Sequence, residues 1–167
     1  MSEDCKKSEL RYLGLNLVRD GRDEEALKEA LLLEAAKKSA IEVPEALLEE
    51  EYSMQLLAYK HNVRYESMAT GSMCFPDPEK EAEMSKLLQV EAYQTVKTDL
   101  LVKAIIAAEG LTVSFEELEA EAIASAKRLE IPLDMARSFY GEDYGLLKND
   151  LLRKKVVELI YDSAVIN

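Results

Sequence analysis

Apolar positions recur every three to four residues along most of the chain, which is the spacing of amphipathic helices. In RDEEALKEALLLEAAKKS (22–39), Leu27, Leu31 and Ala35 form one stripe, with acids in the first turn and lysines in the last. The helix dipole favours that order of charges. The pattern therefore predicts a helix that follows the Asp20-Gly21 turn signal.

A second helix is predicted in EVPEALLEEEYSMQLLAYKHN (42–62). Pro44 suits a first helical position, where its missing N–H costs nothing. Lys60 and His61 indicate the end of the helix. The residues with helical spacing are Leu47, Met54, Leu57 and Ala58.

The stretch MATGSMCFPDPEK (68–80) has the composition of a loop. Its Asp77-Pro78 pair predicts the start of a long helix, with the acid as N-cap. This helix should run to about Ala108. The apolar face of its C-terminal half consists of Leu100, Leu101, Ala104, Ile105 and Ala108.

The segment AAEGLTVSFEELEAEA (107–122) contains a helix stop and a new start. Gly110 can adopt the left-handed cap conformation, and Ser114 with Glu117 forms a capping box. The carboxylates then occupy the solvent-exposed side of the new helix, so that no catalytic role is needed to explain them. Its inward side is predicted to hold Phe115, Leu118, Ala122, Ala126 and Leu129.

Two more helices are predicted, a short one from about Pro132 to Tyr140 and a last one from about Asp143 to Val165. The basic run Arg153, Lys154 and Lys155 should face outward. The residues predicted to face inward in the last helix are Leu147, Leu151, Val157, Ile160, Tyr161 and Ala164.

The N-terminal segment LGLNL (13–17) has two interpretations. As an extended strand it would place Leu13, Leu15 and Leu17 on one face, but the same residues also suit a short helix. We therefore divide the chain into a lead-in of uncertain structure, 1–22, and a helical domain, 23–167. The predicted class is all-α.

Composition narrows the possible functions. The 167 residues are 48% hydrophobic and 32% charged, and the net charge of −12 is distributed along the chain with no basic segment. Binding to nucleic acid or to an anionic membrane is therefore not expected. The start, MSEDCKKSEL, lacks the apolar core of a signal peptide, and no apolar run could span a bilayer. We expect a cytoplasmic protein.

No residue pattern indicates catalysis, a metal or a cofactor. His61 is the only histidine, and Cys5 and Cys74 have no CxxC partner. The sequence contains no phosphate-binding glycine motif and no calcium loop. The consecutive acids 49–51 would splay around a helix turn and form a solvated face.

Methionine and tyrosine crowd the second helix and the loop after it. They could fill an ordinary core, or they could form a surface that adapts to many partners, since thioethers are flexible. The residues in question are Tyr52, Met54, Tyr59, Tyr65, Met68, Met73 and Phe75.

Three quoted stretches in this order resemble the C-terminal domain of trigger factor, the bacterial ribosome-associated chaperone, over about 24–167. They are IEVPEALLEEEYSMQLL, YESMATG followed by a helix ending KTDLLVKAIIAAEGLTVSFEELEAEA, and AKRLEIPLDMARSFYGEDYGLLKNDLLRKKVVELIYDSAVI. The resemblance implies an elongated helical body with two protruding arms that form a cradle. The family's ribosome-docking and prolyl-isomerase domains have no counterpart in this sequence, so neither direct ribosome docking nor an enzyme activity is expected.

The resemblance places the helix at about 44–61 in one arm, and the hairpin at Gly110 in the other arm or its base. It implies an ATP-independent holdase that binds unfolded or nascent polypeptides through dispersed apolar patches. A helical adaptor or assembly factor with one specific partner is the alternative. Weak self-association through an exposed groove is also expected. The candidate client-binding residues are Tyr52, Met54, Leu57, Met68, Met73 and Phe75.

Overall fold

The computed structural model describes residues 10–70, 78–141 and 144–167. The predicted helix starts at Asp77 and Asp143, and the candidates Met73 and Phe75, lie outside these ranges. The described elements are two short strands, β1 (Asn16–Leu17) and β2 (Val165–Ile166), and six helices: α1 (Glu24–Lys38), α2 (Glu45–Thr70), α3 (Pro78–Glu109), α4 (Phe115–Arg128), α5 (Leu133–Tyr140) and α6 (Gly145–Ser163).

The body of the molecule is formed by α1, the second half of α3 and α6, which pack on one another. As predicted, Leu27, Leu31 and Ala35 are the buried stripe of α1. The buried residues of this main core are Leu10, Tyr12, Leu15, Leu31, Leu32, Ala35, Ala36, Leu101, Val102, Ile105, Val156 and Ile160.

The N-terminal segment is not a helix, and it follows the extended interpretation only at Asn16–Leu17, which form β1. Gly14 has a φ of +64°, which interrupts the extended chain, so that Leu15 is buried while Leu13 is 53% exposed. After it, β1 pairs in parallel with β2. The Asp20-Gly21 turn is confirmed, since both residues have positive φ and the Arg22 N–H donates to the Arg19 carbonyl at 2.8 Å.

The first arm is a hairpin of α2 and residues 78–96 of α3. Helix α2 packs chiefly against α3, and the Tyr52 and Ser85 hydroxyls are hydrogen-bonded at 2.6 Å. The predicted end of α2 near His61 is wrong, because the helix continues to Thr70. Residues 62–70 contain neither glycine nor proline to stop it.

The second arm is formed by α4, α5 and the start of α6, around a small core of Leu118, Ala122, Tyr144 and Leu147. The capping box is confirmed: the Glu117 N–H donates to the Ser114 hydroxyl at 3.3 Å, and the Ser114 N–H donates to the Glu117 carboxylate at 2.8 Å. Two residues predicted to face inward on α4 are instead at its surface. Phe115, at 64% exposure, and Leu129, at 59%, lie at the two ends of α4.

The inward face of α6 is also different from the prediction. Leu152 and Val156 are buried, whereas Leu151 and Val157 are only partly buried. Leu151 packs on the core of the second arm and Val157 on the main core. Because α6 packs against two cores on different sides, its inward residues do not form a single stripe. Tyr161 and Ala164 are likewise only partly buried.

The molecule is elongated. Its solvent-accessible surface is 11948 Å², whereas a compact protein of 18.8 kDa would expose about 8,300 Å². Helix α3, with 32 residues, is about 48 Å long and runs from the first arm into the body. In the described ranges, no helix is long and apolar enough to cross a membrane.

Candidate functional site: an apolar stripe on the first arm

Helix α2 carries apolar side chains on two opposite faces. One face packs against α3 and includes the half-buried residues Leu48, Leu56 and Val63. The half-buried Tyr52, with its bond to Ser85, belongs to the same face. A helix that is apolar on both sides has the composition of a buried helix, yet α2 has its main neighbour on one side only.

The opposite face of α2 is exposed and largely apolar, with Glu50 and His61 as the polar residues among its apolar side chains. At 100° per residue its side chains fall within a sector of about 80°, and they extend over about 32 Å along the helix. We call this surface the α2 stripe. It consists of Leu47 (40% exposed), Met54 (56%), Leu57 (71%), Tyr65 (70%) and Met68 (74%).

Three of the six predicted client-binding residues, Met54, Leu57 and Met68, lie in the α2 stripe. Tyr52 does not: its position on the packed face gives it a local partner, contrary to the expectation that it had none. Leu47 and Tyr65 belong to the stripe but were not among the candidates. Their separation of 18 residues, five full helical turns, is a signal that could have found them.

Charges along α2 are arranged unevenly. The exposed Glu50 lies within the sector of the stripe near the body, whereas the exposed Lys60 and Arg64 lie on one flank of it toward the tip. The stripe therefore has an acidic end and a basic end. Where the stripe contacts a polypeptide, this polarity will act on the charges of that polypeptide.

The second arm has a concave surface of its own. A cavity of about 750 Å³ lies between α4, α5 and the start of α6. The exposed Phe115 ring at its edge contacts the Tyr144 ring edge to face, with 6.1 Å between the centroids. The cavity is lined by Phe115, Glu119, Arg137, Ser138, Gly141 and Tyr144.

A charged network fixes the wall of this cavity. The Tyr144 hydroxyl donates to one Glu119 carboxylate oxygen at 2.7 Å, and the Arg137 guanidinium donates to the other. The hydrogen bond from Tyr144, and then the one from Arg137, lowers the pKa of Glu119 below its ordinary value of 4.5. The same bond to Glu119 raises the pKa of Tyr144. Glu119 of α4 therefore forms an ion pair with Arg137 of α5 and accepts a hydrogen bond from the neutral Tyr144 hydroxyl at the start of α6. These two contacts hold the three helices together.

The carboxylates of the chain do not gather into a metal site in the ranges that the structure describes. Glu117, for example, pairs with Lys155 at 2.6 Å, and Glu24 and Glu158 both pair with the buried Lys28, at 2.6 and 2.8 Å. Glu117 and Glu158 thereby connect different helices, whereas Glu24 pairs within α1. Their positions support the interpretation that these carboxylates form ion pairs at the protein surface.

The fold and the stripe define an all-α protein with helical arms that present apolar surface. Residues 19–162 match the family described as bacterial trigger factor protein (TF) C-terminus. The chain belongs to this family.

Relatives over nearly the whole chain are trigger factors. Trigger factor 1 of Desulfitobacterium hafniense (strain Y51) is 28% identical over 163 residues, which are 96% of this chain and 38% of that protein. The trigger factor of Pediococcus pentosaceus is 29% identical over 98% of this chain and 37% of its own length. That of Bacillus subtilis (strain 168) is 25% identical over 89% and 35%. The chain thus spans a little over a third of these relatives.

Solved structures share the fold. A structure of domains of trigger factor from Thermotoga maritima matches with a TM-score of 0.64 and 21% identity, and the match covers 100% of both chains. A structure of the trigger factor chaperone, from work on promiscuous substrate recognition in folding and assembly, matches with a TM-score of 0.62 and 25% identity over 83% of this chain and 33% of that one. The expected helical fold with protruding arms is confirmed.

Proposed function

We propose that this chain is an ATP-independent chaperone module, a holdase that binds unfolded or nascent polypeptides through exposed apolar surface on its arms. The α2 stripe is the observation that carries the proposal. It places five large apolar side chains on the side of α2 that faces away from α3. Family membership supports the proposal, since the relatives are trigger factors.

Binding follows from burial of apolar area. Each square ångström of apolar surface that the client and the stripe remove from water contributes about 25 cal/mol. The ordering of a flexible client offsets much of this gain, so that the contacts are weak and reversible. Met54 and Met68 suit such a surface, because a thioether side chain adapts its shape to different neighbours.

The acidic character of the chain has a role in this scheme. A net charge of −12 keeps molecules with exposed apolar stripes apart by mutual repulsion. We place the protein in the cytoplasm, where unfolded and nascent chains occur, and we propose that it works by binding and not by catalysis. An assay with an X-Pro peptide should show isomerisation at the uncatalysed rate.

The test is suppression of aggregation of several unrelated denatured proteins. The triple variant Met54→Ser, Leu57→Ser, Met68→Ser should lose most of the protection while its melting temperature changes little, because all three side chains are exposed. The matched control carries Leu13→Ser, Val18→Ser and Val165→Ser, which are similarly exposed on the body, at 53%, 57% and 50%.

The control variant should protect the clients as well as the unchanged protein does. Equal protection by both triple variants would refute the role of the stripe. Protection of one protein alone, in a stoichiometric complex, would favour the single-partner adaptor, which family membership does not favour.

A further inference from the structure

Helix α4 of the second arm is bonded to α6 through two neighbouring carboxylates that lie on opposite sides of α4. Because Glu117 and Glu119 are two positions apart, their side chains leave the helix in directions about 160° apart. Glu117 forms an ion pair with Lys155 at 2.6 Å, and Glu119 accepts a hydrogen bond from the Tyr144 hydroxyl at 2.7 Å. Lys155 and Tyr144 are about 16 Å apart along α6. Helix α4 is therefore held between two separate points of α6.

The contact with Lys155 acts on a start of α4 that is itself well fixed. Glu117 uses one carboxylate oxygen for Lys155 and the other to accept from the Ser114 N–H at 2.8 Å. Lys155 also donates to the Thr112 carbonyl at 2.8 Å, in the loop before α4. A change at Lys155 is therefore transmitted to the backbone at the start of the helix and not only to one side chain.

Few other groups fix the tilt of α4 in the part of the chain that the structure describes. Helices α4 and α5 pack chiefly on each other and on α6. The core between them contains four buried side chains, those of Leu118, Ala122, Tyr144 and Leu147. Because this core is small, the two polar contacts with α6 contribute a relatively large share of what holds α4 at its angle.

The two contacts differ in their response to salt. The side chains of Lys155 and Glu117 are 34% and 46% exposed, so that dissolved ions screen their attraction. Tyr144 is 6% exposed and donates a neutral hydroxyl, so that its hydrogen bond depends little on ionic strength. The ion pair of Glu119 with Arg137 joins α4 to α5 and remains within the arm. Salt therefore weakens the Lys155 side first.

We propose that Glu117 and Glu119 are opposed positioning residues that set the tilt of the second arm, and that ionic strength changes this tilt by weakening the contact with Lys155. When one contact is lost the other remains, so that α4 turns in opposite directions in the two cases. The proposal goes beyond the chaperone function proposed above, because the position of the arm can be measured with no client present.

A small tilt has a measurable effect at the far end of the arm. Helix α4 has 14 residues and is about 21 Å long, so that a tilt of about 10° moves its far end by about 4 Å. The gap between the two arms changes with it. A polypeptide that contacts both arms must span this gap, so that the tilt selects which segments can do so.

The test is the distance between two nitroxide labels, measured by pulsed electron spin resonance on the full chain. One label is attached through Leu129→Cys at the far end of α4, and the other through Val18→Cys on the body. Both positions are exposed, at 59% and 57%. Cys5 and Cys74 are replaced by serine in every sample, so that only the two chosen positions react.

Single variants remove one contact at a time. Lys155→Gln should shift the mean distance by about 4 Å, and Tyr144→Phe should shift it by a similar amount with the opposite sign. Glu117→Gln should reproduce Lys155→Gln, since glutamine at this position can keep the capping hydrogen bond. Lys154→Gln, the matched control at an exposed neighbouring position, should leave the distance unchanged.

Salt provides the second arm of the test. In 1 M salt, where charges are screened beyond about 3 Å, the unchanged protein should move toward the distance of Lys155→Gln, and that variant should not respond. Lys155→Arg, which keeps the charge, should retain the low-salt distance. Shifts of the same sign in Lys155→Gln and Tyr144→Phe, or no response of the unchanged protein to salt, would overturn the proposal. A broader distribution with an unchanged mean would also overturn it, because the contacts would then only limit motion.

Discussion

The hydroxyl of Tyr52 on α2 lies 2.6 Å from the hydroxyl of Ser85 on α3, and this bond joins the two helices part-way along the first arm. The arm packs through few buried residues there, notably Leu88 and Ala92 of α3. A polar contact between its helices therefore contributes a relatively large share of the local stability.

Removal of this bond should loosen the arm more than the body. Tyr52→Phe should cost about 0.5–1.5 kcal/mol of local stability, seen as faster hydrogen exchange of α2 amides with little change in α1. Ser85→Ala should have the same effect, and the double variant should add little to either. Additive effects of the two substitutions would show that the hydroxyls do not depend on each other.

Helix α6 contains both fully buried and partly buried side chains, so that alanine substitutions along it should differ in their cost to stability. Ile160 is 1% exposed in the main core, so Ile160→Ala should lower the free energy of unfolding by about 2–5 kcal/mol. Leu151 is only partly buried, so Leu151→Ala should cost less. Urea denaturation measures both values. A larger loss for Leu151→Ala would contradict the phase of α6.

The Glu119 network predicts a dependence of stability on pH. The folded-state pKa of Glu119 lies below 4.5, chiefly through the Tyr144 hydroxyl. Its carboxylate therefore stabilises the fold above pH 4.5, and this contribution is lost as the pH falls through the folded pKa. Glu119→Gln should lower the melting temperature at pH 7, and the difference from the unchanged protein should narrow toward pH 3.

The matched control for this prediction is Glu83→Gln, at an exposed site on α3. It should change the melting temperature little at either pH. A deficit of Glu119→Gln that is as large at pH 3 as at pH 7 would mean that side-chain packing, and not the charge of Glu119, holds the second arm together.

The arms should be visible in solution. A compact globule of 167 residues would have a radius of gyration of about 15 Å. Because the exposed surface is far larger than that of a globule, small-angle scattering should give a clearly higher value for the monomer. A value near 15 Å would mean that the arms fold back on the body.

Local signals in the sequence predicted the six helices and the capped start of α4, but not the end of α2. Ser114 and Glu117 are three residues apart and satisfy each other's N–H groups, so that this helix start depends on no distant contact. Gly110, with a φ of +62°, is the predicted helix stop. The resemblance to the family supplied the expectation of two arms, which periodicity alone does not contain.

The sequence could not show which elements pack against each other. Both faces of α2 are apolar, so periodicity could not show that Tyr52 packs on α3 while Leu57 remains exposed. The pairing of β1 with β2 joins segments from opposite ends of the chain, and such contacts leave no local pattern. Strands β1 and β2 have only two residues each, which is too short for an alternating pattern to be detected.

The central claim, that the α2 stripe contacts unfolded polypeptide, is tested most directly by site-specific photo-crosslinking. A photoreactive residue at Leu57, 71% exposed on the stripe, should crosslink to a denatured client. The same residue at Val18, 57% exposed on the body, should not. An excess of a second denatured protein should compete with the Leu57 product. Equal crosslinking at the two positions, or none at Leu57, would contradict the account.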